Sequence, residues 1–219
     1  MTDASTMPLA NTEDMVQVHR VFREAFRAAP AFIGSVAAGD TARAEVVGSY
    51  YANVLEFLRV HHEGEDALVW PKLIERASDQ ADTVRRIAGQ HKGVEAGLAT
   101  ANARLAEWRA DPDVDRGAQL AVALASLNAD LVAHLDEEER VILPIAAQHI
   151  TMPEWGELPG HGMQHFTGDK IWLILGLIQE QFRPEQIAVM ESHMPPPVLD
   201  FWQNQGRPQF QAYIAEVRG

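Results

Sequence analysis

Two histidine–glutamate pairs share one spacing: His61 with Glu65, and His134 with Glu138. Residues four apart on a helix lie on one face, one turn above the other, so each pair can present an imidazole and a carboxylate to the same point. Neutral imidazole with carboxylate suits iron or manganese better than calcium or a soft, thiol-seeking metal. The spacing therefore indicates that each pair contributes to a transition-metal site.

The two pairs belong to an internal repeat. The segments His61–Pro71 and His134–Pro144 align 73 residues apart, so that their first histidines, their glutamates and their closing prolines coincide. Upstream, His19 and His91 align with a separation of 72 residues. Two similar helical hairpins would form one pseudo-twofold bundle in which these side chains converge. Because a carboxylate can bridge two cations, we expect a dinuclear centre with the metals about 3.5–4 Å apart.

A single His-x-x-x-Glu pair would be weak evidence, because most helical histidines lie at the surface or in a core with their polar atoms satisfied. The duplicated pair, in one register and behind matching histidine helices, favours a metal site over a purely structural bundle. His161 and His165 repeat the spacing once more but have no partner repeat. We interpret them as surface residues or as part of a lid over the site, rather than as a second metal centre.

The elements that position these residues are predicted to be helical. Apolar residues recur at helical spacing, and sustained strand alternation is missing. The pattern predicts four long helices, over roughly Thr12 to Phe26, Asp40 to Leu73, Asp79 to Trp108 and Arg116 to Gln148. The fold class is therefore all-α: an up-down four-helix bundle over residues 11–150, with a helical extension over residues 151–219 packed on it. Gly160 and Gly162 are expected to end the first short helix of the extension.

Composition excludes several kinds of chemistry. The chain of 219 residues has no cysteine, which rules out disulfides, thiolate metal sites, cysteine-ligated iron–sulfur clusters and thiol catalysis. Its formal net charge of -13 argues against nucleic acid or an anionic membrane as a partner. Met1 to Asn11 lacks the features of a secretory signal, and the longest apolar stretch, Ile171 to Ile178, is too short to cross a bilayer. We therefore expect a cytoplasmic protein.

These residues resemble the hemerythrin family, specifically its cation-binding branch with a His-x-x-x-Glu motif in helices two and four. The resemblance covers roughly Asn11 to Ile150. It implies a site with two non-haem iron ions, joined by an oxo or hydroxo bridge and open to dioxygen. By this resemblance, Glu65 and Glu138 would be the bridging carboxylates. The implied metal ligands are His19, His61, Glu65, His91, His134 and Glu138.

Directly after His61, His62 is a further candidate ligand, because a site of this family can recruit the residue that follows the second-helix histidine. It sits about 100° around the helix from His61. The alternative is therefore a histidine that supports the site from outside or lies at the surface. Glu95 is a weaker candidate, because a charged helix surface explains it equally well.

Two departures from oxygen-carrying hemerythrins bear on function. Those proteins place two histidines one turn apart on the third helix, whereas His91 has Ile87 and Glu95 at that spacing. Their fourth helix carries an aspartate five residues after its histidine, whereas Glu138 follows His134 by four. Fewer histidines and more carboxylates favour redox or sensing chemistry over reversible oxygen carriage.

The first functional hypothesis is a diiron protein that interacts with dioxygen, peroxide or nitric oxide, as a sensor, a scavenger or a low-turnover redox enzyme. The second is iron storage, or an iron-dependent interaction module without catalysis. The third is a structural bundle that has lost its metal. Small molecules are the expected partners, and the sequence identifies no protein partner.

Overall fold

A computed structural model describes residues 7–166 and 171–219. Within these ranges the chain is helical, with one isolated β-bridge between Leu9 and Thr151. The four long helices are α1 (Glu13–Gly34), α2 (Thr41–Leu68), α5 (His91–Ala110) and α6 (Val114–Glu137). The shorter helices are α3 (Trp70–Arg76), α4 (Ala81–Ala88), α7 (Leu143–His149), α8 (Met152–Trp155), α9 (Glu157–His165), α10 (Ile171–Gln179), α11 (Pro184–Ser192), α12 (Pro196–Phe201) and α13 (Arg207–Arg218). The predicted all-α fold is confirmed.

The four long helices pack around a continuous apolar core. Phe22, Tyr51, Leu55 and Leu124 are completely buried in it, and burial of each such side chain contributes on the order of 1.5–3 kcal/mol. Tyr51 also donates a hydrogen bond of 3.1 Å to a backbone carbonyl of α1. Apolar stripes at helical spacing therefore fix how the helices face one another, which places the polar histidines at one end of this core.

Capping residues fix where two of the bundle helices begin. The side chain of Asp40 accepts a hydrogen bond of 3.0 Å from the backbone N–H of Arg43, at the start of α2. Asp113 does the same for Arg116 at 2.7 Å, at the start of α6. Each cap satisfies an N–H that has no partner within the helix. The registers of the two motif-bearing helices are thus defined from their first turns.

Both helices depart from regular α-helical geometry just after the repeated glutamate. In the first half, α2 ends at Leu68 and α3 resumes with Pro71 as its second residue. In the second half, a π turn spans Glu138–Ile142, and α7 resumes with Pro144 as its second residue. Proline has no N–H to donate to the preceding turn, so the regular α-helical ladder is interrupted at the same repeat position in both halves.

The third predicted helix is two helices. A single helix from Asp79 to Trp108 is wrong: α4 and α5 are separate, and they meet at Gly89 and Gln90. His91 is the first residue of α5. The break leaves this imidazole at a helix end, close to Glu65 and Asp66 of the opposite half.

The extension begins with a capping box. Both the backbone N–H and the hydroxyl of Thr151 donate hydrogen bonds to Glu154, at 3.0 and 2.8 Å. Contrary to the prediction, α9 runs through Gly160 and Gly162. Neither glycine has a positive φ, and glycine within a helix costs only about 1 kcal/mol relative to alanine.

The helices beyond Thr151 share the apolar core of the bundle. Apolar side chains of the extension belong to the same buried cluster as those of α1 and α2: Phe166, Leu173, Ile174, Leu177, Trp202, Phe210, Ile214 and Val217. At the carboxyl end, Arg43 of α2 donates a hydrogen bond of 2.6 Å to the carbonyl of Val217. The predicted boundary between bundle and extension stays a prediction.

One helical rod, Val114–His149, is long and apolar enough to cross a membrane by length and composition alone. It is a different segment from Ile171 to Ile178, the apolar stretch that is too short to cross a bilayer. The rod comprises α6, the π turn and α7, and its residues Leu120, Leu124 and Leu131 are completely buried against other helices. This is how a core helix of a bundle packs. A cytoplasmic location stays a prediction.

Candidate metal centre

All seven predicted site residues meet at one point between the four long helices. They come from α1 (His19), α2 (His61, His62 and Glu65), the start of α5 (His91), the last turn of α6 (His134) and the start of the π turn (Glu138). Six of them are at most 3% exposed, and the side chain of His61 is 6% exposed. Such complete burial of imidazoles and carboxylates together is costly unless they bind something.

The side chains form two groups whose donor atoms lie within 4.8 Å of one another. The first, the two-histidine group, consists of His19, His61, Glu65 and Glu138. The second, the three-histidine group, consists of His62, Glu65, His91 and His134. Glu65 belongs to both groups. Each group offers enough nitrogen and oxygen donors for one transition-metal cation.

Both carboxylates lie between the two groups. Oε1 of Glu65 is 3.4 Å from Nε2 of His61, and its Oε2 is 3.5 Å from Nε2 of His91. Oε2 of Glu138 is 3.5 Å from Nε2 of His19 and also 3.5 Å from Nε2 of His134. Two ligands at right angles on one cation lie about 3.0 Å apart when each bond is about 2.1 Å. The observed separations are therefore close to those of ligands around shared cations.

His62 lies inside the site. Its ring stacks on His91 with a centroid distance of 4.1 Å and meets His134 edge-on at 5.2 Å. His62 lies 100° around α2 from His61, but it is still buried, because a second face of α2 also packs against helices of the bundle. His61 meets His19 and Phe22 of α1, whereas His62 meets the histidines of α5 and α6.

Unpaired polar atoms support a metal at this point. The buried side-chain nitrogens and oxygens here that have no hydrogen-bond partner among the described residues are His19 Nε2, His61 Nε2, both ring nitrogens of His62, Glu65 Oε2 and Glu138 Oε2. Each such atom costs about 1–3 kcal/mol when left without a partner. The donor set fits cations that bind imidazole nitrogen and carboxylate oxygen.

Burial holds three of the site histidines, His61, His62 and His134, in the neutral form that binds metal. Burial lowers the pKa of His61 and of His62 well below the ordinary value, and neighbouring histidines lower both further. Burial, and next His91, lowers the pKa of His134 to about 3. These imidazoles are consequently neutral near pH 7, with a ring nitrogen able to donate its lone pair to a cation.

The carboxylates respond to burial in the opposite direction. Burial raises the pKa of Glu65 well above its ordinary value, and the adjacent Glu138 raises it further. Burial also raises the pKa of Glu138. Without a cation, this pocket disfavours two negative charges; a bound cation supplies the positive charge that would stabilise both ionised groups.

Two acidic residues that orient the histidines were missed by the sequence prediction. Nδ1 of His19 bonds to Glu139 Oε1 at 2.9 Å, and Nδ1 of His91 bonds to Asp66 Oδ1 at 2.9 Å. With Nδ1 as the donor, each ring presents Nε2 to the site. Asp66 and Glu139 are 73 residues apart. The register that aligned the repeated motifs also aligns these two residues, so the repeat contained the signal.

A third support belongs to one half only. Nδ1 of His134 lies 3.0 Å from Oε1 of Gln90, and the amide of Gln90 donates to Glu137 at 2.7 Å. Arg86 in turn donates to Glu137 at 2.6 and 2.9 Å. In the alignment of the two halves, the residue equivalent to Gln90 is Val18, which has no polar side chain. The repeat therefore did not predict this chain of hydrogen bonds.

The weaker candidates lie outside the site. Glu95 is exposed on α5, as a solvated helix face predicts. Ile87 is buried in a second apolar cluster that also contains Trp70, whose ring meets His91 edge-on at 5.7 Å. His161 and His165 are on α9, apart from both groups.

The fold and the site together define a helical-bundle protein whose buried histidines and glutamates are arranged to hold cations. A model of the hemerythrin HHE cation binding domain matches residues 10–146, which is more than half of the chain. The chain therefore belongs to the hemerythrin HHE cation-binding family. Membership implies cation binding, with iron as the metal that the family suggests. No curated protein and no solved structure matches the chain.

Proposed function

We propose that this chain is a non-haem diiron protein that interacts with dioxygen, peroxide or nitric oxide, in sensing, detoxification or redox chemistry. The main support is the position of the two carboxylates. Glu65 and Glu138 each lie within 3.5 Å of histidines from both groups. Two cations held by these groups would share both carboxylates, which is the arrangement of a dinuclear centre.

The donor set favours iron. Five imidazoles and two carboxylates suit divalent iron better than calcium, which prefers oxygen alone, and the chain has no thiolate to attract softer metals. Bound iron would supply an electron-pair acceptor and a redox couple for a small reactant.

Burial favours a very small reactant. The predicted ligands are at most 3% exposed apart from His61, and His61 packs against Phe22 at a ring distance of 5.3 Å. A diatomic molecule or peroxide can reach such a site through small fluctuations of the bundle, whereas an organic substrate would need the helices to separate. This supports the small-ligand hypothesis over action on a larger substrate.

The protein's own residues would orient the ligands and exclude water. Asp66 and Glu139 accept the Nδ1 protons of His91 and His19, which fixes both rings with Nε2 inward. Apolar neighbours, including Phe22 and Trp70, surround the histidines. The departures from oxygen-carrying members continue to favour redox or sensing chemistry, in a protein that we expect in the cytoplasm.

Iron storage, or iron-dependent interaction, is the second candidate because the extension contacts a ligand-bearing helix. Leu158 and His161 of α9 pack on Gly64, between His62 and Glu65 of α2. A change in metal occupancy could therefore alter the seating of α9. Proteolysis of residues 151–219 that is unchanged by metal would remove this candidate.

The proposal is tested by metal analysis and spectroscopy of the wild-type chain and two variants. We expect about two iron ions per wild-type chain, with near-ultraviolet charge-transfer absorption that changes on adding dioxygen, peroxide or nitric oxide. His134→Ala should lower the iron content and the absorption together. His193→Gln is the matched control, because this histidine is exposed and bonds to the backbone carbonyl of Val189 in its own helix region.

Three outcomes would contradict parts of the proposal. A wild-type chain that takes up no iron on reconstitution would overturn the metal assignment. Uptake of about one iron ion per chain, at a level that replacing Glu65 or Glu138 does not change, would overturn the dinuclear arrangement. Two bound iron ions with no spectral response to any of the small molecules would favour storage instead.

A further inference from the structure

We propose that Glu63, His161 and His165 form a second, separate site for one divalent transition-metal cation such as Zn²⁺, on the outer side of the contact between α2 and α9. One donor atom from each of these residues lies within 4.8 Å of the others. From the sequence, the two histidines lacked a partner. The fold supplies the third donor from the helix that carries the buried ligands.

The α9 side of the site depends on an uninterrupted helix. Because α9 continues through Gly160 and Gly162, His161 and His165 lie one turn apart on one face. Their ring centroids are 5.0 Å apart. Two imidazoles at this spacing form the usual helical half of a zinc site.

Gly64 allows the α2 side to come within reach. A Cβ atom at this position would lie 3.1 Å from Cδ2 of His161 and 3.4 Å from Cδ2 of Leu158. The close approach brings α9 onto α2 and sets His161 beside Glu63. While His62 and Glu65 turn into the bundle, Glu63 faces outward, so its carboxylate is available at the contact.

An unsatisfied atom points to a ligand at this place. Nε2 of His161 is buried and has no hydrogen-bond partner among the described residues. Glu63 is held by Arg59, which also donates two hydrogen bonds to Glu56, at 2.7 and 2.9 Å. Arg59 can therefore keep Glu56 while Glu63 turns to a cation.

The donor chemistry fits zinc and neighbouring first-row metals. Two imidazoles and one carboxylate are a common three-residue zinc set, with room for water as a fourth ligand. The formal net charge of -13 also favours cations near the surface. A cation here would join the extension to α2 across the contact, one residue away from His62 and two from Glu65.

Zinc counting in the full-length chain tests the site. Wild type, His165→Gln, Glu63→Gln and the control His193→Gln are incubated with Zn²⁺ and desalted, and zinc and iron are counted per chain. We expect wild type and the control to hold about one zinc more than either site variant, with the same iron content in all four. The difference is counted above whatever the buried centre holds, so it does not depend on the metal there.

Equal zinc content in wild type and both site variants would overturn the proposal, as would an equal loss in the control. The variants come from different helices, so a folding defect in one, seen by circular dichroism, leaves the other as the test. Hydrogen exchange gives a second measurement. Zinc should slow exchange in α9 of wild type but not of His165→Gln; the same slowing in both would place the effect at the buried centre and refute the site.

Discussion

The two halves of the buried centre share one plan but hold their histidines differently. In each half, a His-x-x-x-Glu helix supplies a terminal imidazole and a carboxylate that lies between both groups. One residue beyond each carboxylate, Asp66 or Glu139 binds the histidine of the other hairpin. The repeat is therefore a crossed arrangement, in which each motif supplies candidate ligands and also orients a candidate histidine of its partner.

The halves differ at the position after the motif histidine. His62 occupies it in the first half, and Leu135 occupies it in the second. Both side chains are buried, but only the imidazole adds a donor. The centre is thus symmetric in its two carboxylates and asymmetric in its imidazole nitrogens. A cation in the three-histidine group would have one more nitrogen than its neighbour, which would make the two metal positions chemically distinct.

The supporting carboxylates differ too. Glu139 is 27% exposed and also accepts a hydrogen bond of 2.9 Å from Arg23, whereas Asp66 is 48% exposed. A more exposed carboxylate can exchange its histidine for water. The difference suggests that His19 is held more firmly than His91, although the repeat gives both the same kind of partner.

Removing a shared carboxylate should have the largest effect, because it acts on both halves at once. Glu65→Gln should lower bound iron from about two ions to less than one per chain. Metal-free stability should change by less than about 1 kcal/mol, because burial already favours the protonated acid, which glutamine resembles. Metal analysis and thermal unfolding with a chelator measure the two effects.

Glu95→Gln is the control for that experiment, since this carboxylate is exposed on the same bundle and away from both groups. It should keep the wild-type iron content. A Glu65→Gln chain that still holds two iron ions would show that the carboxylate is not shared.

Making the two halves alike should remove one metal position only. His62→Leu copies Leu135 into the first half and should weaken the cation of the three-histidine group at least about tenfold. The two-histidine group keeps all its members. Metal-free stability should stay level or rise, because both ring nitrogens of His62 are buried without a partner, each costing about 1–3 kcal/mol.

Stepwise metal titration, followed by spectroscopy, would resolve the two positions in that variant. His193→Leu makes the same substitution at an exposed site and should titrate as wild type. Two unchanged binding steps in His62→Leu would show that His62 supports the centre without binding metal.

The site residues that could be predicted from the sequence are those that the internal repeat aligns. The histidines, the glutamates and the prolines were aligned by one register, and the structure brings all the predicted residues together. The same register aligned Asp66 with Glu139. Their role went unnoticed because an acidic residue after a helical glutamate is typical of a solvated surface.

Other features depended on packing that one sequence does not encode locally. His62 faces inward because α2 lies between α1 and α5, and a residue 100° away from His61 then meets the second neighbour. Gln90 reaches His134 only because the predicted third helix is broken at Gly89. The path of α9 over Gly64 is likewise a tertiary contact. Helix periodicity predicts which residues share a face, but not which neighbour that face meets.

Replacing the carboxylates that orient the histidines should have the smallest effect on metal binding. The two replacements should also show which half holds its histidine more firmly. Glu139→Gln and Asp66→Asn keep a hydrogen-bond acceptor for the histidine but remove its negative charge, so each should weaken metal binding by about 10–100-fold. Glu139→Gln should lie near the upper end, because it also removes the ion pair with Arg23 that holds the side chain in place. Asp66→Asn should lie near the lower end, since water already reaches this half-exposed position.

Competition with a chelator measures both affinities, and Asp136→Asn is the matched control. Asp136 also accepts a hydrogen bond of 2.9 Å from Arg23 but is 68% exposed and bonds to none of the site histidines. If Asp136→Asn weakens metal binding as much as Glu139→Gln, the effect comes from Arg23 and not from the orientation of His19. If Asp66→Asn costs more than Glu139→Gln, exposure does not decide how firmly each half holds its histidine.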